Sequence, residues 1–241
     1  MSDELFRLRV AYRKDGRLAY LGHLEVINTV ERSIRRACLP FSVGNGFAKR
    51  MRVQFSQALP VGAFSLGEYF DLTLTEELDT AEALARLQAA TPSALGPYRA
   101  AYVPRRTPAL EAWLNRSRWQ VELRGEGFDA QAVEEGIAAV KQAGKIDFMR
   151  GDKPRSIETQ TTLVSWEPRQ EEWGVSLALD TRSSNLGALR PAVLLDAAFA
   201  TEPLAQATRS SQRVCRSGQW HEENGRLVEP FDVNFSWSLT Q

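Results

Sequence analysis

Twice along this chain the hydrophobic pattern passes through the same succession of strand, helix, strand, strand, helix, strand. That double passage constrains the fold more than any other feature. In the first pass, Leu5 to Tyr12 (LFRLRVAY) mostly alternates, the period of a strand, and Arg13 to Gly16 (RKDG) makes a turn. A helix begins near Gly22 or His23. Leu24, Ile27, Val30, Ile34, Ala37 and Cys38 fall on its apolar face, Glu25, Asn28, Arg32, Arg35 and Arg36 lie mainly away from it, and Pro40 stops it. Met51 to Phe55 and Tyr69 to Leu74 read as strands. Leu78 to Ala90 reads as a helix burying Leu84 and Leu87, ended by Pro92, and Tyr98 to Val103 closes the pass. Residues 104 to 115 (PRRTPALEAWLN) break the pattern and read as a linker.

In the second pass, Trp119 to Leu123 is a strand and Asp129 to Ala143 a helix. Ser156 to Trp166 and Trp173 to Leu179 are two strands joined by a polar turn, Pro191 to Ala200 is a helix, and Leu204 to Cys215 holds the last strand. Gly218 to Gly225 (GQWHEENG) reads as a polar loop carrying Trp220 and His221. Val233 to Gln241 fits another strand or a loose end. The two passes share element order and no residue-by-residue identity.

An α+β protein follows, built from tandem ferredoxin-like βαββαβ units. Each unit has an antiparallel sheet with helices on one face, which leaves the other face open to a partner. The expected boundaries are 1–103, a linker at 104–115, and 116–241 with the tail. At 241 residues and 43% hydrophobic composition, the chain is long enough for two such domains.

Thirty basic residues balance thirty acidic ones, so only their distribution is informative. Residues 1 to 60 hold 11 basic and 5 acidic side chains, a net of +6, and residues 61 to 241 hold 19 and 25, a net of −6. Such asymmetry steers a polyanion to one end of a molecule. The two cysteines, Cys38 and Cys215, form no CxxC pair and no disulfide framework. Cys38 continues the apolar helix face, which predicts burial. No signal-peptide pattern opens the sequence and no apolar run reaches 18 residues, so a cytoplasmic protein off the membrane is expected.

The basic charge centres on two groups. Arg32, Arg35 and Arg36 stand near the end of the first helix, where cations are favoured by the helix dipole and also suit phosphates. Lys49, Arg50 and Arg52 follow the Gly44-Asn45-Gly46 turn, whose backbone N–H groups suit an anion and whose glycines suit positive φ. The segment lacks the GxxxxGK[ST] pattern of a P-loop. His23 is a candidate acid or base, with no carboxylate or nucleophile evident beside it in sequence. Glu68 and Asp71, three apart on one strand, face opposite sides and disfavour a paired-carboxylate site. Two histidines and two separated cysteines make no zinc motif, so no metal site is expected.

The stretch RVAYRKDGRLAYLGHLEVINTVERSIRRACLPFSVGNGF resembles the radical-SAM-associated family of unknown function DUF2344. So do ALPVG, GEYFDLTLTE, LGALRPAVLLDAAF and the segment around QRVCRSGQW. The family usually follows its GF with a His/Pro-rich piece, where this chain has Ala48-Lys49-Arg50-Met51. His23 and Arg36 match the family's helix pattern. The resemblance implies a radical SAM enzyme as partner, carrying the iron–sulfur cluster and S-adenosylmethionine. Cys38 and Cys215 cannot supply the three-cysteine cluster motif, so no intrinsic cofactor is expected. Three readings compete. The first is a noncatalytic accessory or substrate-recognition protein for that enzyme, binding RNA through Arg32, Arg35, Arg36, Lys49, Arg50 and Arg52. The second is a metal-independent RNA endonuclease using His23. The third is a purely structural protein partner. Oligomeric state stays open.

Overall fold

Strand β1 (Phe6–Lys14) is buried along almost its whole length, and the reason is that both of its faces are covered. Leu8, Val10 and Tyr12 point to one side. They pack with Val26, Val30 and Ile34 of α1 (His23–Arg36), Phe70, Leu72 and Leu74 of β3 (Phe64–Leu74), and Ala83 and Leu87 of α2 (Thr80–Ala90). Ala11 points to the other side and packs with Tyr69, Leu110, Trp113, Leu114 and Val228. Period-two alternation thus feeds two apolar clusters at once.

The computed structural model describes residues 4–125, 128–184, 187–200 and 212–232. The chain divides into two compact units, Met1–Leu114 with Gly218–Gln241, and Asn115–Ser217. In the first unit, β4 (Pro97–Tyr102) pairs with β1, β1 with β3, and β3 with β2 (Val53–Phe55), all antiparallel. The expectation that helices would cover only one sheet face is corrected here. Residues 104–115 do not simply link two domains. They carry a helical turn, α3 (Leu110–Trp113), whose Leu110 and Trp113 are buried and belong to the second cluster. Their apolar spacing is too short to show a helical period.

Helix α1 starts where the sequence places it. Its N-terminal Gly22 N–H donates to the Glu25 Oε2 carboxylate at 2.7 Å. Two positions on its expected face are corrected. Leu24 is 74% exposed, because it lies about 200° around the helix from the buried Val26. Cys38 is exposed rather than buried. It sits beyond the last turn with φ +51, so the chain has already left the helical path. In α2, Leu87 is buried and Leu84 only partly so.

In the second unit, β5 (Arg116–Arg124) pairs along its length with β9 (Gly174–Ser184), and β9 also pairs with β8 (Leu163–Glu171) and β10 (Gly187–Ala188). Helix α4 (Ala130–Ala143) begins with Asp129 Oδ1 accepting the Ala132 N–H at 2.9 Å and ends at the left-handed Gly144. Helix α6 (Pro191–Phe199) carries proline in its first turn. Trp119, Val121, Leu123, Val175, Leu177 and Leu179 of the sheet are buried, as are Val133, Ile137, Leu194 and Leu195 of the helices. Arg118, Gln120, Glu167 and Arg169 stay exposed.

The single strand expected over Ser156–Trp166 is two strands. β7 (Lys153–Glu158) and β8 are separated by a helical turn, α5 (Thr159–Thr162). β7 pairs with β6 (Lys145–Arg150), which the sequence reading did not foresee, as a separate hairpin. Only Ile146 and Ile157 of that hairpin are buried, so it lacks the alternation that marks a half-buried strand.

The last strand, β11 (Gln212–Glu223), runs through most of the expected polar loop. It turns at Asn224-Gly225 into β12 (Arg226–Val228). Both turn residues have positive φ, the signature of an Asn-Gly hairpin, and this was the available sequence signal. The earlier part of the expected final strand, 204–211, and the tail 233–241 lie outside the described residues.

Candidate nucleic-acid interface

From Arg32 to Gly67 the chain contains six basic residues and no aspartate or glutamate. All six expected phosphate-binding side chains fall in this stretch, within the first unit. Arg32, Arg35 and Arg36 are exposed on the last turns of α1. Arg35 lies 5.1 Å from the centre of the Phe41 ring and 3.9 Å from Glu31 Oε2, so part of its charge is engaged. Arg32 and Arg36 carry no ion pair among the described residues. Arg36 borders a shallow groove with Cys38 and Arg86.

The second group sits on a tight hairpin. Val43 bridges Met51, Gly44 N–H donates to Arg50 O at 2.8 Å, and Lys49 N–H donates to Gly46 O at 3.0 Å. The expectation that Gly44 and Gly46 supply positive φ is corrected. Neither does, and Lys49 takes φ +42 instead. The Gly44 amide closes the hairpin, so it is not free for an anion, and the loop's basic character rests on its side chains. Lys49, Arg50 and Asn45 are exposed and Arg52 is half-buried. At the tip, Phe47 is 109% exposed. No hydrogen bond, ion pair or ring contact joins this group to Arg32, Arg35 and Arg36 among the described residues.

His23 occupies a different setting from the one the sequence suggested. Its ring meets Phe55 edge-on at 5.9 Å. It lines a narrow cavity with Tyr12, Lys14, Ser56 and Glu68. Lys14 and Glu68 are 2% and 3% exposed, so a carboxylate and an ammonium do stand near the histidine. Lys14 Nζ donates to Leu21 O at 2.8 Å, and Ser56 Oγ donates to Glu68 Oε2 at 3.5 Å. Gln219 Nε2 donates to Gly67 O at 2.7 Å and lies 3.3 Å from Ser56 Oγ. Sequence reading missed this cluster because its members come from five separated segments. No local pattern marks it, since Tyr12 and Glu68 become partners only once β1 pairs with β3.

Glu68 and Asp71 do face opposite sides. Asp71 is held by Arg9 and Arg7 on the second face. His221 stacks on the Trp113 indole at 4.9 Å with its Nδ1 2.7 Å from Trp113 O. A carbonyl only accepts, so Nδ1 carries the proton and the ring acts as a structural clasp. Among the described residues no three His, Cys, Asp or Glu side chains are grouped to hold a metal.

Fold and sequence together define a mixed α/β protein with antiparallel sheets and two exposed basic groups. Residues 7–191 match the family described as "Uncharacterized protein conserved in bacteria (DUF2344)", and the chain belongs to that family. No curated protein matches it. Among solved structures, a chain of a Cbf5-Nop10-Gar1 complex is 11% identical with a TM-score of 0.46. That match covers 96% of this chain and 56% of the other, so this chain spans little more than half of its length. An unknown protein from Galdieria sulphuraria is 13% identical with a TM-score of 0.26, covering 74% of this chain and 81% of that one. No described helix is long and apolar enough to cross a membrane.

Proposed function

We propose that this chain is a noncatalytic RNA-binding accessory protein that presents its RNA to a radical SAM enzyme. The observation that carries the RNA part is the run from Arg32 to Gly67 without aspartate or glutamate, in which Arg32, Arg36, Lys49 and Arg50 are exposed and carry no ion pair among the described residues. Exposed cations without an ion-pair partner are open to phosphate oxygens. The enzyme partner rests on the family resemblance. With only two cysteines in the chain, the cluster and S-adenosylmethionine belong to that partner.

The tandem ferredoxin-like reading belongs to the same proposal. In the first unit the strand order β4-β1-β3-β2 supports it, and in the second the order β11-β5-β9-β8 does. The test is fluorescence anisotropy with cellular RNA fractions across a salt series, comparing the wild type with R32A/R36A/K49A/R50A. Affinity of the wild type should fall with salt, and the variant should bind far more weakly with an unchanged circular dichroism spectrum. Equal affinity of the two proteins would place the RNA contact elsewhere.

A second reading rests on the cavity that His23 lines together with Lys14 and Glu68. A histidine beside a carboxylate and an ammonium has the components of acid–base cleavage of RNA. RNA cleavage without added metal, abolished by His23→Ala, would favour it over the accessory role.

A further inference from the structure

We infer that the 43–51 hairpin is a single-strand reader, in which Phe47 stacks on an unpaired nucleobase while Lys49 and Arg50 hold the neighbouring phosphates. This deepens the RNA-binding reading and rests on it.

Phe47 stands wholly clear of the protein. Phenylalanine stabilises a fold by being buried, and at the tip this ring buries nothing, so its place there has no folding rationale. Nor is the tip a loose loop. Its base is braced by Met51, which is 6% exposed and part of the first core cluster. Arg52 N–H donates to Ser42 O at 2.9 Å, Ser42 N–H to Thr73 O at 2.8 Å, and Thr73 N–H to Arg52 O at 3.0 Å. The hairpin is therefore anchored to residue 73, at the end of β3, and displays its ring from a fixed support.

The ligand chemistry follows from the neighbours. Gly46 and Ala48 flank the ring with little apolar area, so the tip offers one flat face, the size of one base. Lys49 and Arg50 follow within three positions and no carboxylate lies within the hairpin. An aromatic platform beside cations is what unpaired nucleotides use, since every base has a π-face and a phosphate. A duplex hides its base faces. A membrane anchor needs a broader apolar surface than a single ring.

The test uses the full chain and a labelled 12-nucleotide oligouridylate, alone and annealed to oligoadenylate, together with phosphatidylserine vesicles. Wild type is compared with Phe47→Ala, Phe47→Leu and Phe47→Trp. Wild type should prefer the single strand. Phe47→Ala and Phe47→Leu should weaken single-strand binding about tenfold or more, Phe47→Trp should keep it, and duplex binding should stay unchanged in all. Salt-dependent RNA binding that is indifferent to Phe47→Ala would overturn the hairpin reading while leaving the basic surface standing. No binding to either RNA would overturn both. Loss of vesicle binding in Phe47→Ala without an RNA effect would assign the tip to membranes instead.

Discussion

Arg9 grips Asp71 with two prongs across β1 and β3, Nε to Oδ1 at 2.7 Å and Nη2 to Oδ2 at 2.9 Å, and both side chains are withdrawn from solvent. Arg7 Nε adds a third hydrogen bond to Oδ2 at 2.8 Å. Arg9 also lies 5.2 Å from the centre of the Trp113 ring and donates to Pro230 O. Removing one partner of a buried pair strands the other charge, which costs about 3–5 kcal/mol. Asp71→Ala should lower stability by that amount in urea unfolding. An apolar pair such as Arg9→Met with Asp71→Leu should recover much of the loss. A single variant as stable as wild type would show that water reaches this face.

Trp113 decides whether 104–115 is a linker or part of a core. It is 4% exposed, stacked on His221 and packed with Leu110 and Leu114. Trp113→Ala should cost about 3–5 kcal/mol, whereas a residue in a true linker would cost almost nothing. Thermal or urea unfolding separates the two outcomes.

Gly174 cannot be replaced without strain. Its φ is +137, and a Cβ there would stand 2.0 Å from Leu123 O on the neighbouring strand. Gly174→Ala should destabilise the protein by about 3 kcal/mol or more, from backbone strain and the clash together. Unfolding midpoints near wild type would mean that the β5–β9 pairing opens to admit the methyl.

Tyr69 should make the protein sensitive to alkali. Burial raises its phenol above the ordinary value, and the nearby Tyr98 and Glu229 raise it further. The folded state therefore holds the neutral phenol more firmly than the unfolded chain does. That contribution is complete below about pH 10, the unfolded value, and is lost as pH rises from there through the folded one. Urea midpoints should fall above about pH 10 in wild type and fall less in Tyr69→Phe. Identical slopes would show that Tyr69 ionises as freely folded as unfolded.

The two basic groups should act independently. Among the described residues no hydrogen bond or ion pair joins Arg32 and Arg36 to Lys49 and Arg50, and effects at sites without shared partners add. If all four touch phosphate, each double substitution should flatten the log-affinity against log-salt slope by about 1.4, and the quadruple by about 2.8. A quadruple variant no worse than one double would mean that only one group meets RNA.

Local signals in the sequence were enough for the order of strands and helices from β1 to β4 in the first unit. The β1 alternation, the helix start near Gly22 and the Pro40 and Pro92 stops all act within a few residues. Charge distribution likewise marked the basic flank, because electrostatic sign needs no fold. The tertiary structure decided what each side chain meets. It put Lys14, His23, Ser56, Glu68 and Gln219 in one cluster, set Arg9 against Asp71, and turned a presumed linker into the cover of a second sheet face. It also exposed Cys38 and lifted Phe47 clear of the surface. These depend on which strands become neighbours and on a single backbone dihedral at a helix end. Contacts between residues far apart in sequence, and the face that a turn finally presents, are set by packing over the whole unit and leave little periodic trace in the chain itself.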